Sequence, residues 1–305
     1  MLPTLTALWA AALLAIAAFP CQAAEPPPQR IPPAPQPPPA FTVTPVGGTP
    51  NHAYVTLPSR PGVSQGFLLV DRADPVASVI GFVGGNGVLV PGGAWGRQSI
   101  GPKGIKAFEA TGLLMRTREG LAQAGFLVAL LDTPSDQGTL DGFRTTPAHA
   151  QDVRAVIAWL RRRANVPVWL VGGSRGSVSV ASVAATLQDG AGPDGLVLLS
   201  SLLRPAGGPE PATVFSVALG AIRVPVLIVH HEQDACPATP FGDVPALVSA
   251  LRGGRSPVVH SLNGGGPISG NPCGARHHHG FAGQEDAVVD AIARFIRARS
   301  TPGQR

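Results

Sequence analysis

From residue 67 to residue 299, short apolar runs alternate with stretches of helical spacing, and few folds accommodate that order. The runs at 67–70 and 76–83, "FLVALLD" at 126–132, 166–171, "GLVLLSS" at 195–201, "VPVLIVHH" at 224–231 and "SPVVHSL" at 256–262 are short and rich in β-branched residues, and they read as strands. Between them, 111–124 spaces Leu113, Leu114 and Leu121 for a helix, and 148–163 puts Val153, Val156, Ile157 and Leu160 on one stripe. Residues 177–187 form a small-residue helix, 244–251 another, and 284–299 a last one with Val288, Ile292 and Ile296 on one face. Strands that are apolar on both sides need cover on both sides. The pattern therefore predicts an α/β fold, a mostly parallel central sheet with helices on both faces. One domain over 41–300 accounts for all of it, followed by a short tail at 301–305.

The chain ahead of that domain reads differently. Residues 8–19 are an apolar core followed by the small residues of "CQA" or "QAA", so 1–23 is expected to be an export leader cut near Ala23 or Ala24. It has no Lys or Arg at its start. A membrane anchor is the rival reading, but the apolar run is short for a span and stops at Pro20. A lipidated Cys21 would follow bulky Phe19 and Pro20, where small residues are usual. Residues 24–40, "AEPPPQRIPPAPQPPPA", are so rich in proline that they form a semi-rigid polyproline tether. The expected location is the periplasm or the medium of a bacterium, with no stable membrane insertion once the leader is removed.

Hydrophobic residues make up 44% of the 305, which excludes a disordered chain. The net charge of +5 raises the question of an anionic partner. The arginines are scattered, however, and Arg161, Arg162 and Arg163 form a run at a predicted helix end, where cations face the negative dipole terminus. With one Tyr and no interleaved aromatics, nucleic-acid binding is not expected.

The stretch with most chemistry is "VGGSRGSV", where a strand ends and a helix begins. It is no phosphate cradle, because Lys-Ser/Thr does not follow Gly176, and no G-x-G-x-x-G can be drawn through its glycines or through "VGGNG" at 83–87. It does fit G-x-S-x-G, in which a serine sits on a strained turn that only tiny neighbours permit.

With that setting, the chain resembles the α/β-hydrolase superfamily over nearly its whole folded length. The resemblance rests on the elbow "GGSRG", the glycine loop "GFVGGNG" after an early strand, "HHEQDACP" after a late one, and "HHHGF" near the end. It implies the order nucleophile, acid, histidine, which Ser174, Asp234 and His279 satisfy. His279 directly precedes Gly-Phe, as the resemblance implies for the base; His277 and His278 remain open. His230 and His231 read as strand-end residues, His260 as a core or face residue, and His52 as preceding the sheet. Three consecutive histidines point in different directions, so a metal site there is not expected. The oxyanion donors implied are the N–H of Arg175 and that of Gly85 or Asn86. Asp132, Asp136 and Asp141 read as lid or pocket residues in the loop after "FLVALL", or as solvated carboxylates. Arg144 and Arg175 are candidates to favour an anionic substrate, or to pair with a loop carboxylate.

Two cysteines lie beyond the leader, Cys236 two residues after Asp234 and Cys273 six before His279. In the predicted fold both loops meet at the triad, so an even pair in an oxidising compartment is expected to form a disulfide. A zinc pair or two buried thiols are the alternatives. The resemblance implies a serine hydrolase that needs no cofactor and acts on a small-molecule acyl substrate through an acyl-enzyme, with carboxylic esters first. A peptidase or amidase of the same fold, or a silent binding protein, is the alternative.

Overall fold

The computed structural model describes residues 41–300 apart from 47–48, 90–111, 189 and 209–211. The expected leader, proline tether and C-terminal tail lie outside the described residues.

Nine strands form one sheet: β1 (Thr42–Pro45), β2 (His52–Arg60), β3 (Val63–Val70), β4 (Ala77–Phe82), β5 (Phe126–Pro134), β6 (Val168–Gly173), β7 (Gly195–Leu199), β8 (Val226–His231) and β9 (Val258–Leu262). Their spatial order is β1-β2-β3-β5-β4-β6-β7-β8-β9. The first three pairings, β1–β2, β2–β3 and β3–β5, are antiparallel, and from β5 to β9 every pairing is parallel. The helices are α1 (Leu113–Gln123), α2 (Pro147–Ala164), α3 (Gly176–Thr186), α4 (Val244–Ala250) and α5 (Glu285–Ser300).

Successive strand residues face opposite sides, and each side has its own core. Ile80, Leu170 and Ile228 pack with Val156 and Ile157 of α2 and Val183 of α3. Their neighbours in sequence, Val79, Val171 and Val229, pack with Leu121 of α1 and Ile292 of α5. That is why the central strands are apolar throughout. Each fully buried Val, Leu or Ile contributes about 1.5–3 kcal/mol of transfer free energy.

The termini of α2 show how local chemistry sets its bounds. The Thr146 side chain accepts a hydrogen bond from the His149 N–H, Pro147 opens the first turn, and Asn165 ends the helix in the left-handed region at φ 49°. Arg161, Arg162 and Arg163 occupy its last turn, as the sequence suggested, and Arg161 is further held by Asp194 at 3.0 Å.

Four sequence expectations need correction. β1 and β2 are additional strands at the antiparallel edge. His52 does not precede the sheet: it opens β2. Asp132 is not in a loop but inside β5, fully buried, where it accepts from the Tyr54 hydroxyl at 2.9 Å and the N–H of Leu89 at 3.0 Å. β9 is an edge strand rather than a buried one, with Val258 and Val259 both 42% exposed.

Candidate active site

The loops at the carboxyl ends of β4, β6, β7 and β8 meet at one end of the parallel sheet, where folds of this layout place their ligands. β6 runs into α3 through Ser174, whose φ of +54° is a left-handed conformation that costs a non-glycine residue energy. The neighbours make that turn possible. A Cβ on Gly172 would collide with the carbonyl oxygen of Gly176, and one on Gly176 with that of Phe82 in β4. Two hydrogen bonds hold the turn: the Ser174 N–H donates to the Leu199 carbonyl at 3.0 Å, and the Ser177 hydroxyl donates to the Ser174 carbonyl at 2.6 Å.

Ser174 opens onto a cavity of about 350 Å³. His279 lines the same cavity, with Gly84 and Gly85 from the loop after β4 and Leu114 and Met115 from α1. Among the described lining residues there is no Lys, Arg, Asp or Glu.

Asp234 and His279 come together across 45 residues of chain. His279 Nδ1 lies 3.0 Å from Asp234 Oδ2, and Asp234 Oδ1 accepts from the Cys236 N–H at 2.9 Å. Burial, the largest single influence on Asp234, opposes its ionisation. The hydrogen bond and charge of His279, with the Cys236 amide and the Thr239 hydroxyl, outweigh it together and hold the carboxyl below its usual range. The His279 backbone is fixed separately: the Ser200 hydroxyl donates to its carbonyl at 2.9 Å, and Arg116 donates to the next carbonyl, Gly280, at 2.7 Å.

The other histidines separate clearly. His278 stacks on His231 with ring centroids 4.4 Å apart and sits 3.2 Å from the Gln233 carbonyl, while His277 lies edge-on to it. Neither lines the cavity. His230 and His231 are buried at the end of β8, as read from sequence, against the carbonyls of Thr239 at 2.8 Å and Gly264 at 3.0 Å. Burial is the main reason both have lowered pKa values. His260 is half-buried on β9. Among the described residues no group of three or more His, Cys, Asp or Glu is arranged to hold a metal ion.

Arg175 caps the N-terminus of α3, so its amide lies at the positive end of the helix dipole. Its guanidinium turns to Asp141 at 3.2 Å, and Asp136 is held by Arg60 at 2.8 Å. Both carboxylates are thus in ion pairs. Arg144 is fully buried and donates to the Gly85 carbonyl at 2.8 Å and to the Ser179 hydroxyl at 3.1 Å. Gly85 itself has φ +59°. Asn86 is exposed, and its carbonyl accepts from the Leu140 N–H at 2.8 Å. Cys236 and Cys273 are joined in a disulfide with Cα atoms 4.6 Å apart.

No protein-family model matches this sequence, and no curated protein matches it. Solved structures do. An esterase of Pyrococcus furiosus superposes with a TM-score of 0.55 at 12% identity, covering 82% of this chain and 93% of that one. A serine hydrolase without a lid from Xanthomonas campestris, described as an α/β hydrolase, gives 0.51 at 17% identity over 86% of this chain and all of the other. This chain has the α/β-hydrolase fold. A thermostable carboxyl esterase from Bacillus coagulans gives 0.52 at 14% identity, covering 86% of this chain and 99% of that one.

Within that α/β-hydrolase framework, three residues were missed by sequence reasoning. Thr239, Ser200 and Arg144 all support the site from behind. Only Arg144 was named at all, as a cation for an anionic substrate or as the partner of a loop carboxylate, and not as a donor to the Gly85 carbonyl. A buried arginine and a solvent-facing one look alike in a sequence, and a hydroxyl five residues beyond an acid carries no periodic signal.

Proposed function

We propose that this protein is a serine hydrolase of carboxylic esters acting through an acyl-enzyme on Ser174. One observation carries the reading. A serine on a strained strand-to-helix turn shares a cavity with a histidine whose far nitrogen is 3.0 Å from a buried aspartate. In this reading Asp234 holds the His279 Nδ1–H and leaves Nε2 as the proton acceptor. Ser174 Oγ attacks the ester carbonyl as Nε2 takes its proton, and the tetrahedral oxyanion faces the Arg175 amide at the head of α3. The second donor comes from the Gly85–Asn86 region. Because the Gly85 carbonyl turns toward buried Arg144, the Asn86 N–H, opposite it across the same planar trans peptide, points away from that arginine. His279 then protonates the departing alcohol. Water, deprotonated by the same nitrogen, releases the acid.

The walls favour an uncharged acyl group, since the described lining lacks charged Asp, Glu, Lys or Arg side chains and includes Phe82, Leu114, Met115 and Phe281. The solved structures of like fold include esterases, which agrees with this chemistry. A periplasmic or secreted location fits the disulfide and the expected leader; among the described residues no helix is long and apolar enough to cross a membrane. Turnover of neutral 4-nitrophenyl esters tests the proposal: it is expected in the parent and lost by several orders of magnitude in Ser174→Ala. Amide turnover exceeding ester turnover would redirect the reading to a peptidase.

A further inference from the structure

Between β8 and the α4 helix, the acid loop contains a buried hydroxyl that the mechanism above does not use. Thr239 is fully buried. Its Oγ1 donates to Asp234 Oδ2 at 2.8 Å and lies 3.0 Å from His279 Nδ1. A hydroxyl has one proton. With that proton on the carboxylate, the only role left toward Nδ1 is acceptor, so the imidazole proton on Nδ1 is shared between Asp234 Oδ2 and Thr239 Oγ1. The three polar atoms form a closed triangle that is satisfied when Nδ1 carries hydrogen and Nε2 does not.

The backbone of residue 239 is fixed as well. Its N–H donates to the Cys236 carbonyl at 3.1 Å, and its own carbonyl faces His230 Nε2 at 2.8 Å. A β-branched side chain on an anchored backbone has little rotational freedom. The hydroxyl is therefore held in place by contacts that do not involve His279. Without it, Asp234 Oδ1 would keep its Cys236 amide, while Oδ2 would keep His279 Nδ1 at 3.0 Å and, beyond hydrogen-bond reach, His230 Nε2 at 3.7 Å.

We propose that Thr239 is a positioning residue of the site, whose hydroxyl locks Asp234 Oδ2 in line with His279 Nδ1 and fixes the imidazole tautomer that leaves Nε2 basic. This rests on the reading of Ser174, Asp234 and His279 given above. It assigns to Thr239 no contact with substrate, so the effect falls on turnover and not on binding.

Three variants separate hydroxyl from shape. Thr239→Val keeps the branched volume and removes the hydroxyl; Thr239→Ser keeps the hydroxyl and removes a methyl; Thr239→Ala removes both. Hydrolysis of 4-nitrophenyl butyrate is measured for each beside the parent and Ser174→Ala, with thermal melts as a check on folding. Losing a hydrogen bond to a charged group predicts a kcat roughly tenfold to a hundredfold lower in Thr239→Val and Thr239→Ala, with KM within about twofold of the parent. Thr239→Ser should recover to within about threefold. If Thr239→Val fails to fold, the Ser and Ala pair carries the same comparison. Turnover in Thr239→Val within twofold of the parent, or Thr239→Ser as impaired as Thr239→Ala, overturns the assignment while leaving Ser174-dependent hydrolysis intact. A parent with no Ser174-dependent turnover overturns the underlying reading instead.

Discussion

His149 is a titratable side chain that the fold buries almost completely. It sits in the first turn of α2, edge-on to Phe82 and Phe143, and neither ring nitrogen has a hydrogen-bond partner among the described residues. Burial, then the charges of Arg144 and Arg60, hold its pKa down to about 3. In the unfolded chain a histidine titrates near 6.5. Between those values the unfolded chain binds a proton that the native state does not, so stability rises with pH across the window and falls as pH drops from 6.5 toward 3. At pH 5 that one group costs roughly 2 kcal/mol relative to pH 7.5. His149→Leu removes the titration whatever its fixed packing cost. Denaturant melts at the two pH values should show the parent losing about that much more stability than the variant on acidification; equal losses would mean the ring gains a proton in the folded state. At this scale the nucleophile, acid and base candidates were legible because each follows a recognisable strand or precedes Gly-Phe. Thr239 and Ser200 were not, since their importance lies in distances to Asp234 and to the His279 carbonyl that no local pattern encodes.

Asp234 comes from a loop and His279 from a single 3-10 turn, His278–Gly280, and the Cys236–Cys273 disulfide ties the two segments to each other. Cys236 also supplies the amide that holds Asp234 Oδ1, so the covalent tie begins at a residue that touches the acid. On a chain-entropy account, closing a loop of this length stabilises the fold by roughly 4 kcal/mol. Cys236→Ser should therefore lower both the melting temperature and kcat, and dithiothreitol should reproduce both effects in the parent. Two free thiols by titration of the denatured, unreduced protein would contradict the pairing. The parallel elements were legible because β4, β6, β7 and β8 are buried on both faces and leave continuous apolar runs. β1 and β2 were not. β2 carries Pro58 and several polar residues, β1 is four residues long, and an antiparallel edge with one half-open face has no need of an unbroken apolar run. β9 misled in the opposite sense, as an apolar run that lies at an edge.

Across the whole molecule, the sheet order places the ends of β4, β6 and β7 side by side, so their loops, with the start of α1 and the segment carrying His279, line one cavity. The alternation of strands and helices was enough to expect a mostly parallel sheet covered on both faces, but the order of the strands and the character of the cavity were not legible; Arg144 and Arg175 both turn to protein partners. The absence of charge among the described lining residues predicts that neutral short-chain esters are turned over faster than esters of the same length bearing a terminal carboxylate. A panel of matched 4-nitrophenyl esters checks this, and equal kcat/KM for the two kinds would mean that a cation reaches the substrate. The central claim, a covalent intermediate on Ser174, is tested most directly by treating the protein with a fluorophosphonate and mapping the adduct by mass spectrometry. The account predicts one adduct, on the peptide containing Ser174, absent from Ser174→Ala together with ester turnover. Ester hydrolysis that persists in Ser174→Ala, or a stoichiometric adduct on another residue, would contradict it.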